Sequence, residues 1–176
     1  LELPELLKEV TNFSLHGSKV RSEFKLTDGL WAVHADKGQI GQVLQNLVIN
    51  SVQAMPGGGV ITISAENCEY SGANAPGGIA AGRYVHLSVS DVGVGIPREN
   101  LAKIFDPYFT TKPQGTGLGL ATCYSIIKKH AGHVEVESAT GRGTTFHLWL
   151  PAIQGQVTSK GSGSSGSRSP FRVRIL

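Results

Sequence analysis

Residues Asp36 to Met55, with the sequence DKGQIGQVLQNLVINSVQAM, determine how the rest of the chain is interpreted. Their apolar side chains recur every three or four residues, which predicts one buried face of an α-helix. That face comprises Ile40, Val43, Leu44, Leu47, Val48 and Met55, with the small Ser51 among them. Asp36 is placed to cap the N-terminus of this helix, and Gln39, three residues later, is placed to complete a capping box.

A row of uncharged carboxamides lies beside this apolar face. At about 100° per residue, one flank of the helix collects Gln39, Gln42, Asn46, Asn50 and Gln53. A solvated flank normally carries charges, whereas half-buried amides need partners, because an unpaired buried polar group costs about 1–3 kcal/mol. The helix alone is also compatible with a polar rim facing water. The glycine-rich loops further along the chain favour a ligand-binding flank.

The composition is that of a globular domain of ordinary size. Of 176 residues, 40% are hydrophobic, and no run approaches the ~18 apolar residues that span a bilayer. No basic-then-apolar signal segment opens the chain. The formal charge of +3 is modest, and four cations near the end contribute to it, namely Lys160, Arg168, Arg172 and Arg174. We therefore predict no nucleic-acid partner and no direct membrane contact in this segment.

The two cysteines, Cys68 and Cys123, lack CxxC spacing. The sequence therefore predicts neither a disulfide framework nor a cysteine-based zinc site. Free thiols are typical of a reducing compartment, so we expect a cytoplasmic location.

Alternating residues and turn signals predict about six strands and three or four helices. Val20 to Leu26 and Leu30 to His34, separated by Asp28-Gly29, are expected to form a hairpin. The other predicted strands are Val60 to Ala65, Tyr84 to Val89, His133 to Glu137 and Thr144 to Leu150. Besides the amide-lined helix, helices are predicted at Pro4 to Val10, at Arg98 to Phe105, and from Gly115–Leu120 to a stop at Gly132. This order indicates an α+β fold, with one mixed sheet and helices on one face.

Composition divides the chain into three parts. Residues 1–19 are predicted to be the end of a preceding helical linker, and the chain is expected to begin earlier than Leu1. Residues 20–153 form the domain. Residues 154–176 have a Gly/Ser-rich linker composition and are expected to be a linker with vector-derived or fused sequence. Within them, Phe171 to Leu176 alternates like a strand, and one hypothesis is that it adds to an exposed sheet edge.

The sequence Asp91-x-Gly93-x-Gly95 follows directly on a predicted strand. Glycines allow a ligand to approach the backbone, and an aspartate at a strand end can accept a hydrogen bond from an exocyclic amine such as that of adenine. By itself the motif is also compatible with a plain Asp-Gly turn.

Three alternate glycines between Gly115 and Leu120 open a predicted helix. Exposed N–H groups at a helix N-terminus favour an anion. A Rossmann site is rejected, because the spacing is G-x-G-x-G after a loop rather than G-x-G-x-x-G after a strand. A Walker loop is rejected because no Gly-Lys-Ser/Thr follows a glycine loop. Considered alone, these glycines are also compatible with a loop that simply enters a helix.

Taken together and in this order, five motifs resemble the catalytic, ATP-binding domain of a sensor histidine kinase, a member of the Bergerat-fold ATPase superfamily. The resemblance runs from about Val20 to Pro151. Asn46-Leu47-Val48-x-Asn50 is similar to the N box, and Asp91 to Ile96 to the first glycine box. Phe105 to Lys112 resembles the F box, Gly115 to Leu120 the second glycine box, and Gly141 to Phe146 the last motif. The family implies a two-layer α/β sandwich with a mixed, mostly antiparallel sheet.

The resemblance also implies roles for individual residues. Asp91, supported by Thr144, would bind the adenine amine, and Asn50 would hold Mg²⁺. Asn46 and Gln53 would face the phosphates, and residues 106–114 would form a lid. The catalytic set implied is Asn46, Asn50 and Lys112. The implied ATP-binding set is Asn46, Asn50, Gln53, Asp91, Gly93, Gly95, Ile96, Phe105, Thr116, Gly117, Leu118, Gly119, Leu120 and Thr144, with Asn50 as the metal ligand.

By this resemblance the domain presents the γ-phosphate of ATP to a histidine on a separate dimerisation domain, whose phosphoryl group then passes to a response-regulator receiver domain. None of the chain's own histidines has a matching context; they are His16, His34, His86, His130, His133 and His147. We therefore expect the segment to bind ATP and Mg²⁺ without phosphorylating itself.

Two alternatives remain open on the sequence. The first is an ATP-hydrolysing conformational ATPase of the same fold, such as the gyrase and mismatch-repair relatives. Those place a glutamate base four residues before the metal-binding asparagine, where this chain has Asn46, which cannot accept a proton from water. The second is a non-catalytic nucleotide sensor or docking module, against which the five complete motifs argue.

Overall fold

A computed structural model describes residues 1–71, 75–77, 79–113 and 115–153. Within these ranges the chain forms four helices and five strands. In chain order they are α1 (Leu3–Leu15), β1 (Val20–Leu26), α2 (Lys37–Ala54), β2 (Gly59–Tyr70), β3 (Gly82–Asp91), α3 (Arg98–Leu101), α4 (Gly119–Lys129), β4 (His133–Ala139) and β5 (Gly143–Pro151). No helix in these ranges has both the length and the apolar character needed to cross a membrane.

The five strands form one mixed sheet in the order β1-β2-β3-β5-β4. β1 is parallel to β2, with α2 as the crossover between them, and every other neighbouring pair is antiparallel. The predicted α+β class, with a mixed and mostly antiparallel sheet, is confirmed. The amide-lined helix is thus held against the sheet by the crossover connection itself.

The core lies between one face of the sheet and the helices α1, α2 and α4. Inward-facing side chains of the central strands are fully buried, among them Ile61, Ile63, Val85, Leu87, Val89, Leu148 and Leu150. The apolar face predicted for α2 is buried throughout: it consists of Ile40, Val43, Leu44, Leu47, Val48, Ser51 and Met55. Burial of this face fixes the rotation of α2 and leaves its amides at the edge of the core.

The N-terminus of α2 confirms half of the predicted capping box. The Asp36 carboxylate accepts the N–H of Gln39 at 2.8 Å, as an N-cap should. The reciprocal half is wrong, because the N–H of Asp36 donates to Nε2 of His130 at 3.1 Å. His130 Nδ1 lies 2.8 Å from the carbonyl oxygen of Ile126, so its ring links the start of α2 to the end of α4.

The predicted hairpin after β1 is wrong. The strand at Val20–Leu26 is present, but it pairs with β2. The segment that follows is held by Asn67 of β2, whose side chain accepts the N–H of Trp31 at 2.9 Å and donates to the carbonyl of Gly29 at 2.9 Å. The expected sixth strand is reduced to one bridge between Val33 and Ala152.

Three helices differ from their predicted bounds, and α1, which spans Leu3–Leu15 rather than Pro4 to Val10, belongs to the packed core. The helix α3 ends at Leu101 rather than Phe105, and α4 begins at Gly119. Leu3 and Leu7 of α1 are fully buried. The role of residues 1–19 as the end of a preceding linker, and the boundary at residue 20, stay predictions. Residues 154–176, with the hypothesis of an added edge strand, lie outside the described ranges.

Candidate functional site

A cavity of about 930 Å³ opens where α2, the loop after β3, the segment before α4 and the start of β5 meet. Among the described residues that line it, only Asp91 and Lys112 carry a charge. Twelve predicted site residues lie on its wall: Asn46, Asn50, Gln53, Asp91, Gly95, Ile96, Lys112, Thr116, Gly117, Gly119, Leu120 and Thr144. Motifs far apart in sequence therefore meet around one space.

Asp91, the last residue of β3, has its carboxylate buried at the cavity wall, with 5% of the residue exposed. Its Oδ1 accepts the N–H of Gly93 at 2.9 Å and the N–H of Thr144 at 3.2 Å. Both bonds end on the same oxygen, and no described residue donates to Oδ2. The site therefore holds a fixed, buried acceptor with one oxygen left for a ligand's N–H donor.

Ser138 of β4 links the loop after β3 to the start of β5 by hydrogen bonds beside Asp91. Its hydroxyl donates to the carbonyl of Gly143 at 2.8 Å and accepts the N–H of Ile96 at 2.8 Å. The Thr144 hydroxyl lies 2.9 Å from the same oxygen, and it must donate because the Ser138 proton is already used. The Thr144 oxygen is then left as an acceptor beside Asp91. Sequence reasoning missed Ser138, since a lone serine in a strand carries no signal.

The position of Gly95 leaves no room for a side chain. Its φ is +73°, and a Cβ there would lie 2.0 Å from the carbonyl oxygen of Ala139. The neighbouring Val94 accepts the N–H of Gly141 at 2.8 Å. The loop after β3 is thus pressed on the β4–β5 connection, and the close approach predicted for this glycine is to the protein's own backbone.

The amide flank of α2 supplies the polar side of the cavity. Asn46 Nδ2 donates to the carbonyl of Gly119 at 3.2 Å. The Lys112 ammonium donates to Oδ1 of Asn50 at 2.9 Å and also to Oε1 of Gln53. Partial burial lowers the pKa of Lys112. Two amide oxygens thus converge on one cation, which is the arrangement that a bound metal ion would use.

Residues 109–113 and 115–117, between α3 and α4, contribute to the wall of the cavity. Tyr108 takes a positive φ of 65°, and its N–H donates to the carbonyl of Gly117 at 3.0 Å. Gly117 has a φ of +68°, and a Cβ there would meet the Tyr108 carbonyl carbon at 2.4 Å. At this point the predicted lid touches the glycine segment through backbone atoms. Its last predicted residue, Gln114, lies outside the described ranges.

Three predicted site residues do not line the cavity. The N–H of Gly93 is used by Asp91, and a Cβ on Gly93 would lie 2.6 Å from the Ala54 carbonyl oxygen. The Phe105 ring packs against Tyr124 and Phe146, with centroids 5.6 and 6.4 Å apart. Leu118 immediately precedes α4 and is 42% exposed. In this structure these residues shape or flank the wall, and a direct contact with nucleotide stays a prediction for each.

The wall also contains residues that sequence reasoning missed. Most are apolar and come from α2, from β5 and from the segments on either side of α3: Ile49, Ala54, Val94, Pro97, Ile104 and Phe146. Asn100 of α3 adds a further amide. Apolar residues in helices and strands predict core, so nothing in their pattern distinguishes a cavity wall. The result is a largely apolar slot with a carboxylate and hydroxyl in one place and amides with a lysine in another, which suits a flat heterocycle attached to an anionic chain.

Comparison with known proteins agrees with this geometry. The family model described as "Histidine kinase-, DNA gyrase B-, and HSP90-like ATPase" matches residues 35–154. Sporulation kinase C of Bacillus subtilis (strain 168) is 37% identical over 155 residues, which are 85% of this chain and 33% of that protein. Sensor histidine kinase ZraS of Escherichia coli (strain K12) is 42% identical over 133 residues, 76% of this chain and 26% of that protein.

A solved structure of a histidine kinase catalytic domain matches this chain over nearly the whole of that domain. The catalytic domain of histidine kinase ThkA, in a nucleotide-free form, is 34% identical with a TM-score of 0.69, and the match covers 86% of this chain and 93% of that one. The chain spans a third or less of the two curated relatives. The chain belongs to the family of histidine kinase-, DNA gyrase B- and HSP90-like ATPases, and within it this is the ATP-binding catalytic domain of a sensor histidine kinase.

Proposed function

We propose that this domain binds ATP together with Mg²⁺ and transfers the γ-phosphoryl group to a histidine on a separate dimerisation domain of the same protein. A response-regulator receiver domain then takes the phosphoryl group from that histidine. We place the domain in the cytoplasm, with no nucleic-acid partner and no direct membrane contact through this segment. The relatives are kinases much longer than this chain, which supports partners of this kind.

The proposal that the bound base is adenine rests on Asp91. An adenine ring has an exocyclic amine that donates, whereas guanine has a carbonyl oxygen at the corresponding position. The buried carboxylate offers an acceptor, because Oδ1 is fixed by two backbone N–H groups and Oδ2 receives no donor from the described residues. Ile96, Ile104 and Phe146 supply apolar surface in the same cavity. The site therefore suits adenine bound through its 6-amino group, and guanine in that same orientation would oppose a carbonyl oxygen to the carboxylate.

The polar side of the cavity fits a metal-bound phosphate chain. Asn50 and Gln53 present amide oxygens to a single cation, the Lys112 ammonium, and oxygen donors of this kind are ligands that Mg²⁺ accepts. Asn50 would hold the ion, which when bound neutralises charge on the phosphates. Lys112 would turn from the amides to a phosphate oxygen, and the first amides of α4 would bind phosphate through backbone N–H groups.

Asn46 favours phosphoryl transfer to a protein over hydrolysis. It stands four residues before Asn50, where a hydrolysing relative would need a base. Its Nδ2 donates to the Gly119 carbonyl, and a carboxamide has no basic site for a water proton. The domain can therefore hold and orient ATP without activating water. The acceptor nucleophile has to come from elsewhere, because no histidine is among the described residues that line the cavity.

The proposal is tested by mixing this domain with the separately produced dimerisation domain of its own full-length protein and γ-labelled ATP with Mg²⁺. We expect acid-labile, alkali-stable label on the dimerisation domain and none on this chain. Release of free phosphate by this domain alone should stay slow. In the matched control, the phosphoacceptor histidine of the dimerisation domain is replaced by glutamine, and the label should disappear.

Two results would reject the proposal in different ways. Rapid phosphate release without the dimerisation domain would assign the chain to the hydrolysing ATPases. Tight ATP binding with neither transfer nor hydrolysis, under conditions in which the full-length protein is phosphorylated, would make it a nucleotide sensor.

A further inference from the structure

The sheet face that the helices leave uncovered carries its own cluster of polar and aromatic side chains. Trp149 points to this face, yet it is only 3% exposed. The rings of His86, His133 and His147 cover it, with centroids 4.8, 5.7 and 5.9 Å from that of Trp149. The Trp149 indole N–H donates to the Tyr70 hydroxyl at 3.0 Å. This is an ordered surface, and none of these residues lines the nucleotide cavity.

At the edge of this cluster, three side chains with different metal-binding groups lie together. Glu66 and Cys68 alternate on β2 and so point to the same face, and His86 of β3 pairs with Glu66. A carboxylate oxygen, the thiol sulfur and an imidazole nitrogen all lie within 4.8 Å of one another. Glu66 is exposed, whereas Cys68 and His86 are half-buried, so an ion from solvent can reach the three groups.

These three groups are the ligand types of protein zinc sites. With bond lengths of about 2.0–2.3 Å and tetrahedral angles, neighbouring donor atoms lie about 3.3–3.6 Å apart. His86 Nδ1 and the Glu66 carboxylate already lie 3.1 Å apart. The remaining distances, at most 4.8 Å, have to contract by up to about 1.5 Å through side-chain rotation. Three protein ligands leave the fourth tetrahedral position to water.

The residues behind His86 supply a second observation. His86 Nδ1 lies 3.1 Å from the Glu66 carboxylate and its Nε2 lies 3.0 Å from His147 Nδ1. His147 Nε2 lies 3.7 Å from the Glu137 carboxylate, and it is buried with no hydrogen-bond partner among the described residues. Four side chains, Glu66, His86, His147 and Glu137, thus form one series in which the nitrogen that faces Glu137 has no hydrogen bond.

A cation at His86 Nδ1 resolves this mismatch. Without one, and with both rings neutral, His86 donates to Glu66 through Nδ1 and accepts from His147 through Nε2. The remaining His147 nitrogen then faces Glu137 with a lone pair, so two acceptors oppose each other. When an ion takes the Nδ1 lone pair, Nε2–H donates to His147, and the second His147 nitrogen carries the proton toward Glu137. Carboxylate-backed histidine ligands in metal sites follow this pattern.

We propose that Glu66, Cys68 and His86 bind one divalent transition-metal ion of the zinc class, and that His147 and Glu137 position the imidazole ligand. The site is separate from the nucleotide cavity, whose wall contains none of these five residues. The cysteine spacing along the chain predicts no such site, because its ligands come from two paired strands. The sequence predicted no cysteine-based zinc site, and the proposal departs from that prediction at Cys68.

The test uses the metal-free, nucleotide-free chain. Zn²⁺ is titrated in competition with a chromophoric chelator, and Co²⁺ is substituted to report the ligand set by absorption. We expect one ion per chain and a cobalt–thiolate charge-transfer band. Cys68→Ser should remove that band, and Cys68→Ser and His86→Asn should each weaken Zn²⁺ binding by at least about 100-fold, against about 10–100-fold for the positioning variant His147→Asn.

Two variants serve as matched controls. Cys123→Ala removes the other thiol, which is fully buried under α2. His133→Asn removes a histidine of the same sheet face that pairs with Glu135 at 2.9 Å. Both should bind Zn²⁺ like the unaltered chain, and melting curves without metal should show every variant folded. The proposal is overturned if micromolar Zn²⁺ does not bind stoichiometrically, if cobalt shows no thiolate band, or if the two control substitutions weaken binding as much as those at Cys68 and His86.

Discussion

A single oxygen of Asp91 decides which base this cavity can accept. In Asp91→Asn the side-chain carbonyl can still accept the N–H groups of Gly93 and Thr144, while the other position becomes a donor. We expect ATP affinity to fall about ten- to hundred-fold, because a charge-assisted bond worth about 1.5–3 kcal/mol is lost. The discrimination between ATP and GTP should shrink or invert, and calorimetric titration with both nucleotides measures it.

Comparing ATP with GTP shows whether Asp91 recognises the base or only supports the structure of the site. Asp28→Asn makes the same chemical change at an exposed turn position and should leave both affinities unaltered. If Asp91→Asn lowers ATP and GTP affinity by the same factor, Asp91 supports the fold of the site and does not read the base.

Cys123 provides a prediction about pH. Burial raises the pKa of its thiol to about 12, against about 8.5 in an unfolded chain. Between these values the unfolded chain loses the proton and the folded domain keeps it, so the contribution of this group to stability falls as pH rises from about 9 toward 12. Differences in melting temperature between the unaltered chain and Cys123→Ala should therefore shift in favour of the variant above pH 9.

A pH-independent difference between these two proteins would show that the Cys123 thiolate forms equally easily in the folded domain. Thiol-specific reagents give a second check at pH 8, where Cys123 should react only after denaturant is added, since it is fully buried and protonated.

Residue-level inference succeeded where the signal is local. Asp36 caps α2 as expected because a helix N-cap bonds to a group only three residues away. It failed for Ser138, whose hydroxyl joins Ile96 and Gly143, and for His130, which receives the N–H of Asp36. Nothing close in sequence to these residues reveals their partners.

Among the elements, the connection between lid and helix α4 depends on Gly117. Gly117→Ala adds left-handed strain of about 1–2 kcal/mol and a Cβ that would lie 2.4 Å from the Tyr108 carbonyl carbon. The contact between the two segments should break, so we expect weaker ATP binding with little loss of core stability. Nucleotide titration and denaturant unfolding of the same variant measure the two effects.

Gly141→Ala is the matched control for this prediction. Its φ of +78° imposes similar strain, but a Cβ there has nothing within 4 Å. Equal losses of ATP affinity in both variants would mean that backbone strain alone, rather than the contact with Tyr108, weakens binding.

The helix α1 should behave as part of the domain. Leu7 is fully buried and Phe13, on the same helix, is 74% exposed. Leu7→Ala should lower the free energy of unfolding by about 2–5 kcal/mol, and Phe13→Ala should change it by less than about 0.5 kcal/mol. Urea unfolding measures both. Similar small effects would show that α1 is dispensable and would favour its description as a linker.

Strand existence was predictable, but strand partners were not. Alternation located Val20–Leu26 correctly because burial of one face imposes a period of two. The turn signal Asp28-Gly29 suggested a hairpin, yet Asn67 of β2 holds this segment through two side-chain bonds. The parallel pairing needs the whole of α2 as a crossover, and no local turn encodes that.

For the molecule as a whole, amide hydrogen exchange should distinguish the central sheet from the residues around the nucleotide cavity. We expect the slowest amides in β2, β3 and β5, which form the centre of the sheet. Adding ATP with Mg²⁺ should slow exchange in three places: the C-terminal half of α2, the loop after Asp91, and residues 106–113. Uniform protection of the whole domain would instead indicate that nucleotide binding orders the entire fold.

The overall architecture followed from the sequence because five motifs in a fixed order constrain it together. The α+β class, the mixed sheet and the cavity residues of α2 agree with expectation. The apolar wall did not follow, because Ile104 and Phe146 have the pattern of core residues. The cluster around Trp149 was also missed, since strand pairing alone brings its histidines together.

Helices α2 and α4 run antiparallel and are linked at three levels along their length: Asn46 to Gly119, Cys123 to Val43, and His130 to Asp36. These three links fix the distance between the two helices before any nucleotide binds. We therefore expect the entropy lost on nucleotide binding to fall mainly on the segment around Tyr108. Substitutions there should change the rate of phosphoryl transfer while the spacing of α2 and α4 stays constant.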